Sequence, residues 1–198
     1  ASGAEYQADY PNLRLRVDRM YRSSRPSAIY PFLLRLLRSF ELGRVSEGNV
    51  CAVIDAVESF LFRRAIVGIE PTGLHAVFKS LWQEFVGDAQ VENLDKALTP
   101  KRTREIISGK PTINWPNNDQ FRAAIESGDL YRRKIAGYAL REYELGLKGE
   151  SPSDVHQIEH IAPQSPTDSW KEIIPDDYEE LVHTWGNLLP LTPTMNPS

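Results

Sequence analysis

The chain has a single cysteine, Cys51. A lone cysteine excludes an internal disulfide and a cysteine-rich zinc site. Its neighbours Val50, Val53 and Ile54 mark it as a small apolar core residue, in keeping with a reducing cytoplasm. No run of eighteen apolar residues occurs, so no membrane-spanning helix is expected. No charged-then-apolar leader opens the chain either. Ala1-Ser2-Gly3 reads as a cloning scar or a domain cut, and the chain is expected to begin inside a longer protein. Basic residues are nearly missing from one part. Residues 151–198 hold only Lys171 against eight acidic residues, whereas residues 1–150 hold 22 basic and 19 acidic ones. A segment with that negative balance does not attract DNA by itself. A nucleic-acid contact there has to lean on a metal ion and on the arginines of the preceding part. Arginine, the better phosphate partner, supplies 16 of the 23 basic residues.

What is present is ordinary globular composition: 198 residues, 41% hydrophobic and 25% charged, enough to bury a real core. Apolar residues recur at helical spacing through most of the chain. Helices are expected over 5–24, 27–42 (Ile29, Leu33, Leu36, Leu37, Phe40), from Ser46 to before Gly68, from Thr72 onward (Leu74, Val77, Phe78, Leu81, Trp82, Phe85), and near 90–98. Thr99-Pro100 gives a clean helix start, and Gly109-Lys110-Pro111 its stop. Asn118 is a candidate cap for a helix at 119–126, and residues 129–147 read as the last long helix. The character changes at Gly149-Glu150-Ser151-Pro152, a turn-rich linker. Beyond it, Val155 to Ile161 and Leu188 to Leu191 read as short strands, with a helix at 177–185 between them. The expected organisation is mainly α: an all-helical bundle domain over 1–148, then a small core over 149–198.

The chemistry-bearing stretch is His156-Gln157-Ile158-Glu159-His160-Ile161-Ala162-Pro163-Gln164, followed by Trp185-Gly186-Asn187-Leu188 and then by Asn196. Hydrolysis of a phosphodiester needs an activated water and a way to hold negative charge on the phosphoryl and leaving oxygens. A histidine of near-neutral pKa takes the water's proton, and His160 is the candidate for that role. A hard divalent ion such as Mg²⁺ or Mn²⁺ takes few protein ligands and keeps several waters. Glu159 and Asn196 are the candidate ligands by position. His156 lies on the same strand face as His160 and either assists or packs. Arg132-Arg133-Lys134 is the most basic local run and the candidate DNA contact. Arg63-Arg64 is read as structural, and His75 and His183 as residues on helix surfaces.

An acid beside a histidine at a strand end, an Asn-Leu in a second strand and a later polar ligand resemble the HNH (ββα-metal) endonuclease pattern. More narrowly, Ile158-Glu159-His160-Ile161-x-Pro163-Gln164, Trp170 and Gly186-Asn187-Leu188 are similar to the C-terminal HNH domain of GmrSD-type restriction proteins, a layout shared by the phosphorothioate-sensing SspE proteins. Ser59 to Ile66, with its double arginine, resembles a helix of that family, and Trp115-Pro116-x-x-Asp119-x-Phe121 with Tyr131 and Glu144 its segment ahead of the nuclease. The resemblance implies that Asn187 braces the loop and orients His160. It also implies DNA, foreign or modified, as substrate, a ParB-like nucleotide-hydrolysing N-terminal domain as partner, and a last helix beyond Asn196. The expected activity is a metal-dependent DNA endonuclease or nickase of phage defence. The competing expectation is a non-catalytic helical module that couples the N-terminal domain to an effector, with an incomplete nuclease core.

Overall fold

In the computed structural model, residues 9–23, 27–87, 94–148 and 157–191 are described. The order is α1 (Pro11–Arg22), a 3-10 turn (Ser27–Ile29), α2 (Tyr30–Glu41), α3 (Glu47–Val67), α4 (Leu74–Val86), α5 (Leu94–Ala97), α6 (Pro100–Ser108), α7 (Asn118–Ser127), α8 (Ala136–Lys148), β1 (Gln157–His160), α9 (Asp168–Lys171), α10 (Tyr178–Leu181), a 3-10 turn (Trp185–Asn187) and β2 (Leu188–Leu191). The protein is mainly α with one small antiparallel strand pair, as the sequence leads one to expect.

Two compact units are formed, one of Ala1–Arg64 with Ile69–Trp115, the other of Ala65–Gly68 with Pro116–Ser198. The division falls near 115/116 and not at 148/149. The composition change after residue 148 marks only the end of a helix. The boundary moves because α7 packs against the 3-10 turn at Trp185–Asn187 and α8 packs on β2, so both helices belong to the strand-bearing unit.

The first unit closes around Phe32, Phe60, Phe78, Leu13, Met20, Ile29, Leu36, Ile54, Leu81, Leu98 and Ile107, all almost fully buried. Phe32 touches the rings of Phe78, Trp82 and Phe85. Cys51 lies in this core, and burial pushes its thiol above the ordinary value. Capping follows the expected chemistry at α6, where the Thr99 hydroxyl accepts from the Arg102 N–H at 3.2 Å. At α7 the cap is Asn117, not Asn118. Its side chain accepts from the Gln120 N–H, and the Gln120 side chain accepts from the Asn117 N–H. This reciprocal pair needs Gln three places after the cap, which only Asn117 has. Of the double arginine, Arg64 is 4% exposed and donates to the carbonyls of Glu70 and Asn114 at 2.6 and 3.1 Å. Those bonds hold two loop backbones, so Arg64 is structural.

In the second unit, β1 and β2 pair in the register Gln157↔Leu191, Ile158↔Pro190, Glu159↔Leu189 and His160↔Leu188. Ile161 donates to the Asn187 carbonyl at 2.9 Å. Counting back by twos from that bond, Ile158↔Pro190 is a pair without hydrogen bonds, so the N–H that Pro190 lacks would have faced away from β1. Helix α8 begins at Ala136; residues 129–135, read from sequence as its first turns, form a turn instead. The Asp129 carboxylate accepts from the Arg132 N–H at 3.1 Å, and the Leu130 and Tyr131 N–H groups donate to the His183 carbonyl at 3.0 and 3.2 Å. These amides therefore have partners outside any helix.

Gly68 ends α3 with φ +82, and a β-carbon there would overlap the guanidinium of Arg133. The Arg133 tip can swing away, but the left-handed backbone remains strained for any other residue. Gly68→Ala is expected to lower stability by about 1–2 kcal/mol, measured by urea unfolding. Gly43→Ala, at φ +67 with nothing near, serves as the control for backbone strain alone. A Gly68→Ala midpoint equal to wild type would refute the assignment.

Candidate active site

Strand β1 delivers His160 at its last position. Side chains alternate along the strand, with Ile158 and His160 half-buried and Gln157 and Glu159 exposed. His160 thus faces the interior of the second unit, together with buried Leu188 on β2. Glu159 lies on the opposite, solvent-facing side, opposite the exposed Leu189.

The chain leaving His160 is pinned at three successive residues. Ile161 donates to the Asn187 carbonyl. Ala162 donates to Asn187 Oδ1 at 2.8 Å, and its carbonyl accepts from Asn187 Nδ2 at 3.1 Å. The Pro163 carbonyl accepts from the buried Tyr178 hydroxyl at 2.8 Å. Asn187 Nδ2 also donates to the Val182 carbonyl at 2.9 Å. Both ends of the Asn187 amide are therefore bonded to backbone, which makes Asn187 a brace for the loop after His160.

Around the His160 ring stand three side chains from three segments. Its Nε2 lies 3.1 Å from His183 Nδ1, and its Nδ1 lies 3.3 Å from Gln164 Nε2. Tyr131 meets His160 edge-on, with ring centroids 4.5 Å apart, and stacks on His183 at 5.3 Å with planes 11° apart. His183 is not a helix-surface residue. Helix α10 stops at Leu181, and the His183 carbonyl instead receives the Leu130 and Tyr131 amides. Burial and the neighbouring His183 hold the His160 pKa below 6.5, against an upward pull from Glu159. Both favour the neutral imidazole, the state a general base requires.

The basic run divides. Arg132 is exposed and pairs with Asp129, Nε to Oδ2 at 3.4 Å. Lys134 is exposed. Arg133 is half-buried, with its guanidinium over Gly68. It is a packing residue in this arrangement, drawn inward by the space that a glycine leaves. His75 is exposed on α4. The candidates His156 and Asn196 lie outside the described residues. Among the described residues, no group of three or more His, Cys, Asp or Glu is placed to hold a metal ion. His183 and Tyr131 were missed from sequence. The available signal was the place of His183, three residues ahead of Gly186-Asn187.

Two outcomes follow from this geometry. Asn187→Ala leaves the Ala162 amide and two carbonyls without partners, and is expected to cost about 1–3 kcal/mol. Hydrogen exchange at Ala162 should then be fast, and protection equal to wild type would contradict the brace. The second outcome concerns acid stability. Because the folded His160 pKa is lowered, the unfolded ring binds a proton first as pH falls below 6.5. Native stability is lost from there down to the folded pKa and is unaffected above 6.5. Urea midpoints measured from pH 7.5 to 5 should fall more steeply for the wild type than for His160→Asn; parallel curves would refute the assignment.

A search of curated proteins and one of solved structures returned no match. A family model does match, described as the C-terminal domain of GmrSD restriction endonucleases, over residues 115–198. The matched stretch begins where the second compact unit begins and contains Tyr131, Glu159, His160, His183 and Asn187. Residues 115–198 are therefore similar to the C-terminal domain of the GmrSD restriction endonucleases, the family that Glu159-His160 and Gly186-Asn187-Leu188 point to in the sequence.

Proposed function

We propose that residues 115–198 form an HNH-type endonuclease or nickase that cuts foreign or modified DNA in the cytoplasm, with His160 as general base. The observation that carries this reading is a half-buried histidine at a strand end whose following loop is held at three residues by Asn187 and Tyr178. A proton acceptor of near-neutral pKa, held in one place, is what water activation requires. In the reaction, His160 takes a proton from water as the water oxygen bonds to phosphorus. The bond from phosphorus to the leaving sugar oxygen breaks, and that oxygen takes a proton from solvent.

Glu159 and Asn196 are the residues that would hold a divalent ion. The exposed Glu159 carboxylate next to the base fits a hard cation such as Mg²⁺ or Mn²⁺, which keeps several waters and needs one or two carboxylates. When bound, such an ion would supply charge stabilisation to the phosphoryl and leaving oxygens. Arg132 and Lys134, exposed on the turn that places Tyr131 against His160, would hold DNA phosphates. The modification-sensing partner, by the family resemblance, is a ParB-like N-terminal domain.

The test is plasmid nicking with Mg²⁺ or Mn²⁺ by the full-length protein. His160→Ala is expected to lower the rate by about 10²–10⁴-fold. Equal nicking by wild type and His160→Ala would overturn the base assignment, and no nicking by either would favour the non-catalytic module.

A further inference from the structure

The hydrogen bonds around His160 have a direction. With the Gln164 amide nitrogen, 3.3 Å away, as donor, the contact uses the lone pair of His160 Nδ1. The proton of the neutral ring then sits on Nε2 and is donated to His183 Nδ1, 3.1 Å away. His183 is then the acceptor of that bond. Its position is fixed twice over: the Tyr131 ring stacks on its face, and its carbonyl receives the Leu130 and Tyr131 amides. Among the described residues, the ionisable groups facing the His160 ring are His183 and Tyr131, with Glu159 next to it in β1. None of the three is a carboxylate bonded to the ring.

We propose that His183 is the positioning residue for the general base: it accepts the His160 Nε2 proton, fixes one tautomer, and so turns the Nδ1 lone pair toward the exposed Gln164 side, where the attacking water is activated. The inference rests on the reading of His160 as base. Histidines that do chemistry are usually oriented by a hydrogen bond at the other ring nitrogen, which sets the tautomer. Here a second imidazole takes that place. In the step itself, Nδ1 takes the water proton, Gln164 yields its place to that water, and the resulting imidazolium keeps its Nε2–H on His183. No proton leaves the pair until His160 returns Nδ1–H to solvent. Tyr131 serves the same arrangement by holding the acceptor ring in plane.

Two variants separate this role from simple packing. His183→Phe keeps a ring against Tyr131 and removes the acceptor. His183→Asn loses the ring but can present an amide oxygen close to where Nδ1 stood. Nitrogen NMR of the His160 ring reads the tautomer directly, without any activity. The wild type is expected to show the Nε2–H form. His183→Phe should show a mixture of forms, and His183→Asn should recover the Nε2–H form. In plasmid nicking, His183→Phe should lower kcat by about 10–100-fold, with KM for DNA unchanged, and His183→Asn should regain most of the loss. A wild-type His160 protonated on Nδ1 would overturn the proposal without any variant. So would an unchanged tautomer in His183→Phe, or wild-type kcat in His183→Phe. If wild type and His160→Ala nick equally, the base reading fails, while the NMR result still decides whether His183 sets the ring.

Discussion

The side-chain amide of Asn187 closes a small ring with the backbone of Ala162, accepting its N–H and donating to its carbonyl. The two residues are 25 positions apart, yet this contact fixes where β1 ends and where β2 begins. With the ends of the segment tied, residues 163–186 become a side loop that adds short helices without disturbing the strand pair. One of them supplies Tyr178, which holds the next carbonyl of the same turn. The carbonyl of Val182, taken by the other hydrogen of the same amide, sets the residue before His183. One amide thereby places both histidines. Its geometry is specific because an amide offers a donor and an acceptor side by side, matching a peptide unit.

Charge acts at a second level. The C-terminal segment is strongly acidic, and Glu159 faces solvent beside the histidine. An acidic surface repels a phosphate chain unless a cation intervenes. Arg132 and Lys134 extend outward from the 129–135 turn, while Arg133 is withdrawn to pack over Gly68. Three consecutive basic residues thus serve two purposes, because successive positions in a turn point in different directions.

The placement of His160 at the end of one strand and of Asn187 ahead of another was legible because their motifs are local: an acid–histidine pair in a short apolar run, and Gly-Asn ahead of a second. The helices were legible as periodic apolar faces, since burial imposes the period. The His183–Tyr131 pairing was not legible. Residues 129–135 contain apolar positions at helical spacing, and only the His183 carbonyl, more than fifty residues later, draws two of their amides out of a helix. The same carbonyl stands just beyond a helix that stops at Leu181, and nothing in residues 177–185 announces that early stop. The change of composition at 148/149 was equally misleading as a boundary. It reports the end of one helix, whereas compact units are defined by what packs, and α7 and α8 pack toward the strand pair. The cap of α7 was missed by one residue because Asn117 and Asn118 are both good caps, and the choice lies in the reach of Gln120.

The position of Pro190 gives the strand pair a sidedness. Opposite Ile158, it removes a donor only from the edge of β2 that β1 does not use. The pair keeps its full ladder, but an incoming strand on that edge would meet a gap where it needs a hydrogen bond, and a fixed ring where it needs a flat backbone. On the β2 side the strand pair thus resists growth through a missing hydrogen.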